Sequence, residues 1–176
     1  MPNSLMPRKQ SGDDDAFRAL GLRPATPGDE SFLRNLFAST RAKELAAMIW
    51  DETQKQAFVA MQFNAQSRQY ETSYPHAEHS IILLNEAPIG RLLLDRGEGE
   101  FTLVDIALLA EYRNAGIGTG LIQRLLEEAA DAGKPVRLHV FNSSPAMRLY
   151  ARLGFSRVGA DAVYVEMSWL PPVKSH

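Results

Sequence analysis

Val104-Asp105-Ile106-Ala107-Leu108-Leu109-Ala110-Glu111-Tyr112-Arg113-Asn114-Ala115-Gly116-Ile117-Gly118-Thr119-Gly120 is followed directly by Leu121-Ile122-Gln123-Arg124-Leu125-Leu126-Glu127-Glu128-Ala129-Ala130-Asp131-Ala132-Gly133. The opening residues are apolar, short and bounded by charge, the pattern of a buried strand. The middle is a turn rich in glycine. The closing part sets Ile117, Leu121, Ile122, Leu125, Leu126 and Ala129 at helical spacing, and Gly133 is placed to end the helix. A strand, a glycine turn and a helix start make an anion site, because free backbone N–H groups and the helix dipole converge there. Gly116 and Gly118 carry no Cβ to keep a phosphate away, and Arg113 adds a permanent cation at the mouth.

Two common phosphate motifs fit badly. The dinucleotide fingerprint needs a third glycine where Leu121 stands, and the nucleoside-triphosphate loop needs Lys and then Ser or Thr after its last glycine. The pattern that fits is Arg113-x-x-Gly116-x-Gly118. Preceded by Ile106-Ala107-Leu108, it resembles the acyl-coenzyme A site of the GNAT family of N-acetyltransferases. The resemblance implies that the backbone of Arg113, Asn114, Ala115, Gly116, Ile117, Gly118 and Thr119 holds the coenzyme's pyrophosphate. It further implies that Ile106, Ala107 and Leu108 line the pantetheine arm, with an N–H offered to the thioester oxygen.

A chain of 176 residues with net charge −2 is one domain of ordinary size. The expected division is a loose polar segment over residues 1–17, a single domain over 18–170 and a tail over 171–176. No basic run marks a nucleic-acid surface, and apolar runs such as residues 81–84 are too short to span a bilayer. The N-terminus lacks an apolar signal core. Without cysteine there is no disulfide framework, no zinc–thiolate site and no acyl-cysteine intermediate. His76 and His79 lack a third ligand at metal-binding spacing, so no metal is expected. These features suit a cytoplasmic protein, and they are compatible with a homodimer.

Along the chain, residues 20–23 read as a strand and residues 29–40 as a helix with Phe32, Leu33, Leu36 and Phe37 on one stripe. A short helix follows over 44–50. Asp51 caps a longer one through about Tyr70, with Phe58, Met61, Gln62 and Ala65 expected on a shared face. Residues 79–84 and 89–95 read as strands joined by a turn over 85–88, and 101–109 as the strand feeding the glycine loop. After the loop helix come a strand over 136–141, a helix over 145–153 and a hairpin of 155–159 with 163–169. Helices interleaved with strands in this order call for a layered α/β fold. The order is also that of the GNAT family, whose fold is a mixed, mostly antiparallel central sheet with helices on both faces. The resemblance thus extends over residues 20–169.

A second run, Pro145-Ala146-Met147-Arg148-Leu149-Tyr150-Ala151-Arg152-Leu153-Gly154-Phe155, is similar to the family's helix beside the pantetheine arm. By that match Tyr150 protonates the departing thiolate, a sensible task for a phenol that is neutral at pH 7. The family's asparagine seven residues earlier falls on Ser143, with Asn142 beside it, and either residue can supply that coenzyme contact. The base that takes the amine proton is open among Asp105, His139, Glu100 and a water chain. Phe63, Arg68, Tyr70, Tyr74, His76 and His79 form the expected acceptor wall. Within it Phe63 is read as core, and Arg68 and Tyr70 as surface.

The function implied is transfer of an acetyl group from acetyl-CoA to a primary amine of a small molecule or peptide. Two alternatives are a non-catalytic acyl-CoA-binding or sensor module of the same fold, and a structural α/β domain with an incidental glycine turn.

Overall fold

The computed structural model describes residues 19–174. The loose segment expected over residues 1–17 lies outside them. The strands are β1 Leu20–Pro24, β2 Glu78–Leu84, β3 Ala87–Arg96, β4 Phe101–Leu108, β5 Val136–Phe141, β6 Ser156–Ala160 and β7 Tyr164–Trp169. The helices are α1 Glu30–Thr40, α2 Ala42–Ala47, α3 Glu52–Ser73, α4 Ile117–Ala132 and α5 Ala146–Arg152, with 3₁₀ turns at Pro27–Asp29 and Ala110–Tyr112. All seven strands form one sheet in the order β1-β2-β3-β4-β5-β7-β6. Only the β4–β5 pair is parallel, and the rest are antiparallel. The mixed, mostly antiparallel sheet is the one expected.

Side chains alternate between the two faces of a strand, so the sheet carries two cores. On the first face Leu92, Leu94, Leu103, Leu138, Val140, Val165 and Met167 meet Ile117, Leu121, Ile122, Leu125, Leu126 and Ala129 of α4. Burying each large aliphatic side chain stabilises by roughly 1.5–3 kcal/mol. On the second face Ile81 meets Leu33 and Phe37 of α1 and Val59 and Phe63 of α3. Helices therefore cover both faces, but the second-face helices lie over the β2–β4 half.

The expected face of α3 is wrong. Met61 and Ala65 are exposed, and the buried positions are Val59 and Phe63. Apolar residues are scattered round this helix, so no dominant stripe sets its rotation. Contact with Phe37, whose ring meets that of Phe63 edge-on at 5.9 Å, sets it instead. The capping of α3 by Asp51 is as expected: its carboxylate accepts from the Gln54 N–H at 2.8 Å, and Gln54 accepts from the Asp51 N–H at 3.1 Å. The turn between β2 and β3 is tighter than predicted. Asn85 and Glu86 alone make it, with φ of 49° and 69°, and the ladder restarts at Ala87.

One irregularity shapes the molecule. Leu93 pairs with Asp105 but Leu94 pairs with Leu103, so Val104 is an extra residue on β4. Such a bulge bends its strand. Beyond it β4 leaves β5, and the parallel ladder stops at Leu103 with Leu138. From Asp105 to Leu108 the edge of β4 that turns toward β5 has no strand partner among the described residues, and a cleft opens between two strands of one sheet.

Candidate active site

The glycine loop stands at the mouth of this cleft. After β4 the chain makes the Ala110–Tyr112 turn and then places Asn114 at φ 59° and Gly116 at φ 82°. Gly116 is the N-cap of α4, and its carbonyl accepts from the Gly120 N–H at 3.0 Å. The N–H groups of Ile117, Gly118 and Thr119 lie in the first helical turn and have no acceptor within the helix. A Cβ built on Gly116 or Gly118 meets nothing within 4 Å, so both glycines border open space. Backbone donors, positive helix dipole and bare glycines make a cradle for a phosphate group.

Arg113 is not a loose cation at this mouth. Its Nε donates to the Leu108 carbonyl at 2.9 Å and its Nη2 to the Ser39 hydroxyl at 3.3 Å. The guanidinium fastens the loop to the end of β4 and to α1, and brings its charge there. Ile106, Ala107 and Leu108, the residues expected to line a pantetheine arm, lie in β4 beyond its last pair with β5. Behind them Gly90 of β3 is irreplaceable, because a Cβ there would stand 2.2 Å from the Ala107 carbonyl oxygen. At the end of β5, Asn142 donates from Nδ2 to the Ala162 carbonyl at 2.9 Å and from its backbone N–H to Val163 at 3.0 Å. Its amide thus pins the β6–β7 turn, and Ser143 is exposed.

Tyr150 of α5 lies on the first face. It is buried in the main core and meets the Phe155 ring edge-on at 5.7 Å. Burial pushes its phenol up to about 12, and the negative charge of Asp105 adds to the effect. Tyr150 is therefore a neutral proton donor at ordinary pH, within electrostatic reach of a carboxylate on the opposite face.

That carboxylate belongs to a group the sequence reading missed. Arg91 of β3 is buried on the second face. Its Nε and Nη2 both contact Oδ2 of Asp105, at 2.7 Å and 2.5 Å, and its Nη2 also donates to Gln66 of α3 at 2.8 Å. Both contacts fall on one carboxylate oxygen, which leaves Oδ1 of Asp105 without a protein donor among the described residues. The Arg91 guanidinium lies 5.6 Å from the Tyr70 ring centre. Tyr70, expected at the surface, is half-buried against this pair. Its phenol is raised well above the ordinary value, first by burial and then by Asp105. His79 is held below its ordinary value by burial and then by Arg91, and its Nε2 is buried without a partner. One signal was available: a lone arginine inside the apolar run Ile89-Gly90-Arg91-Leu92-Leu93-Leu94 needs a counter-ion when buried.

The other base candidates lie elsewhere. Glu100 is at the far end of β4 from the loop, paired with Arg137 at 3.1 Å. His139 is exposed on β5 opposite Glu166. Of the acceptor wall, Phe63 is core as expected. Arg68 and His76 are exposed, and Tyr70, Tyr74 and His79 are half-buried.

A sheet that parts between two parallel strands, with a glycine turn and a helix start at the mouth, has the form of a coenzyme-binding fold. The profile of the acetyltransferase (GNAT) family matches residues 42–155, and the chain belongs to that family. An N-alpha-acetyltransferase from Sulfurisphaera tokodaii is 43% identical over 60 residues, which is 32% of this chain and 35% of that protein. The match thus spans about a third of the curated relative's length. Among solved structures, the PaiA N-acetyltransferase of Thermoplasma acidophilum in complex with coenzyme A superposes with a TM-score of 0.63 at 18% identity, covering 86% of this chain and 98% of that one. The ribosomal-protein-S18-alanine N-acetyltransferase of Escherichia coli gives 0.57 at 19% identity, over 89% and 96%. A GNAT acetyltransferase of Elizabethkingia anophelis with acetyl-CoA bound gives 0.57 at 18%, over 86% and 98%. At these identities the structural likeness establishes the fold.

Proposed function

We propose that this chain transfers an acetyl group directly from acetyl-CoA to the primary amine of a small molecule or peptide. The observation that carries the reading is the glycine cradle at the start of α4, standing at the end of an unpaired β4 edge, with a buried Tyr150 within electrostatic reach of Asp105. The residues fit coenzyme A: the cradle from Arg113 to Thr119 suits its pyrophosphate, and the unpaired β4 edge at Ile106, Ala107 and Leu108 suits an amide-bearing arm. Acetyl-CoA supplies an acetyl group activated as a thioester.

The chain's residues do the rest. Oδ1 of Asp105 accepts a proton from the incoming amine, while Arg91 keeps Oδ2 occupied and the carboxylate oriented. A backbone N–H on the open β4 edge faces the developing oxyanion. Tyr150 gives its proton to sulfur as the C–N bond forms and the C–S bond breaks. Since Arg91 already balances Asp105, the site does not favour a second cation, and the amine enters as its uncharged, nucleophilic form. The curated relative, an N-alpha-acetyltransferase, supports an α-amine at a peptide terminus among the acceptors.

The test is an amine screen with acetyl-CoA read by release of free thiol. Amine-dependent release supports the proposal. Coenzyme A binding with no release by any amine would favour an acyl-CoA sensor.

A further inference from the structure

Phe141 of β5 and Tyr164 of β7 are cross-strand partners whose rings stack at 4.8 Å with an interplanar angle of 26°. Both are exposed, at 51% and 38%. Two stacked, exposed aromatic rings make one continuous apolar surface on the sheet, of the kind that can receive a ligand. Their position follows from register. Phe141 lies three residues beyond Leu138 and, with the bulged Val104 passed over, Ala107 lies three sheet positions beyond Leu103, the last parallel pair, so Phe141 stands across the cleft from the Ile106–Ala107 stretch. Phe141 alternates with the buried Val140 and shares the second face with His139, the face on which Asp105 and Arg91 also lie. The second face of β5 and β7 is bare among the described residues, and α3 forms its wall. The phenol of Tyr70 is raised by burial and by Asp105, and further by Tyr164. That of Tyr74 is raised by burial, then by Asp95 and Glu166. Tyr70, which lies over Arg91 on the second face, and Tyr74, just past the end of α3, are thus on the same side of the sheet as Tyr164.

We infer that Phe141 and Tyr164, walled by Tyr70, form a specificity pocket for a flat apolar or aromatic group next to the acceptor amine. This rests on the transfer reading above. With the amine at Oδ1 of Asp105, the substituent it carries is directed along the bare face onto the stacked rings. The paired rings favour a planar group over a short aliphatic one, through area and edge or offset stacking. The two arginines on this face of β3 and β5 are paired: Arg91 with Asp105 and Gln66, and Arg137 with Glu166 and Glu100. The pocket therefore suits an uncharged group.

The test compares 2-phenylethylamine with propylamine, two primary alkylamines that differ in the aromatic ring. A parallel peptide pair is Phe-Gly-Gly and Ala-Gly-Gly. The readout is kcat/KM for thiol release in wild type, Phe141→Ala and Tyr164→Ala, with coenzyme A affinity and elution volume measured beside it. The expected result is a preference of about tenfold or more for the aromatic acceptors in wild type. That ratio should fall toward one in both variants, with coenzyme A affinity unchanged because neither side chain belongs to the cradle. A wild type without preference, or variants that keep it, would overturn the pocket. So would variants that convert a dimer to a monomer at unchanged ratio, which would make the strip a contact between copies. Absence of thiol release with every amine would overturn the transfer reading itself, and the pocket with it.

Discussion

Tyr150 is the residue where the chemistry is most exposed to test. Its ring packs on Phe155 and its hydroxyl does no structural work among the described residues, so Tyr150→Phe leaves packing in place and removes only the proton donor. The single-turnover rate with saturating acceptor should fall by roughly 10²- to 10⁴-fold, the usual worth of a positioned acid, with coenzyme A affinity little changed. His79 makes a separate prediction. Its folded pKa lies below the ordinary histidine value, so the unfolded chain takes up a proton that the folded chain refuses. Stability should therefore drop as pH falls through about 6.5 toward the lower folded value. Denaturation midpoints at pH 7 and pH 5 should differ more in wild type than in His79→Gln, and an equal difference would clear His79. Tyr150 was legible because it sits in a local run of familiar pattern. The Arg91–Asp105–Gln66 unit was not, because its members lie on two strands and a helix and are brought together by pairing that no local motif encodes.

Among the elements, the strand–loop–helix unit was readable almost residue for residue. The six apolar positions of α4 named from spacing are all buried, and Gly133 ends the helix at φ 65° as a glycine C-cap should. Helix α3 was readable in its cap and its length but not in its rotation, since only tertiary contact with Phe37 and Ile81 chooses its buried side. The bulge at Val104 was not readable either, because an extra residue changes register without changing composition. The prediction at this scale is Gly118→Val. Its Cβ has open space in the unliganded protein, so the fold should survive, while the branched side chain enters the cradle. Calorimetry should show coenzyme A binding lost. Unchanged affinity would move the pyrophosphate elsewhere.

At the scale of the whole molecule, one bulge divides the labour of the sheet. Before it β4 and β5 pair and close the core, and after it they part and leave a strand edge free to meet a ligand. The first-face core holds α4 and Tyr150, and the second face holds Arg91, Asp105 and the bare aromatic strip. On the proposed reading the two substrates take separate approaches to one cleft: the coenzyme along β4 from the loop, and the amine from the α3 side. The chain has no cysteine to carry the acetyl group, and the proposed direct transfer calls for both substrates to be present together. The most direct test is a grid of initial rates of thiol release at several acetyl-CoA and amine concentrations. Double-reciprocal lines that intersect, with release dependent on the amine, are the predicted result. Parallel lines accompanied by an acetylated protein in the mass spectrum would contradict direct transfer.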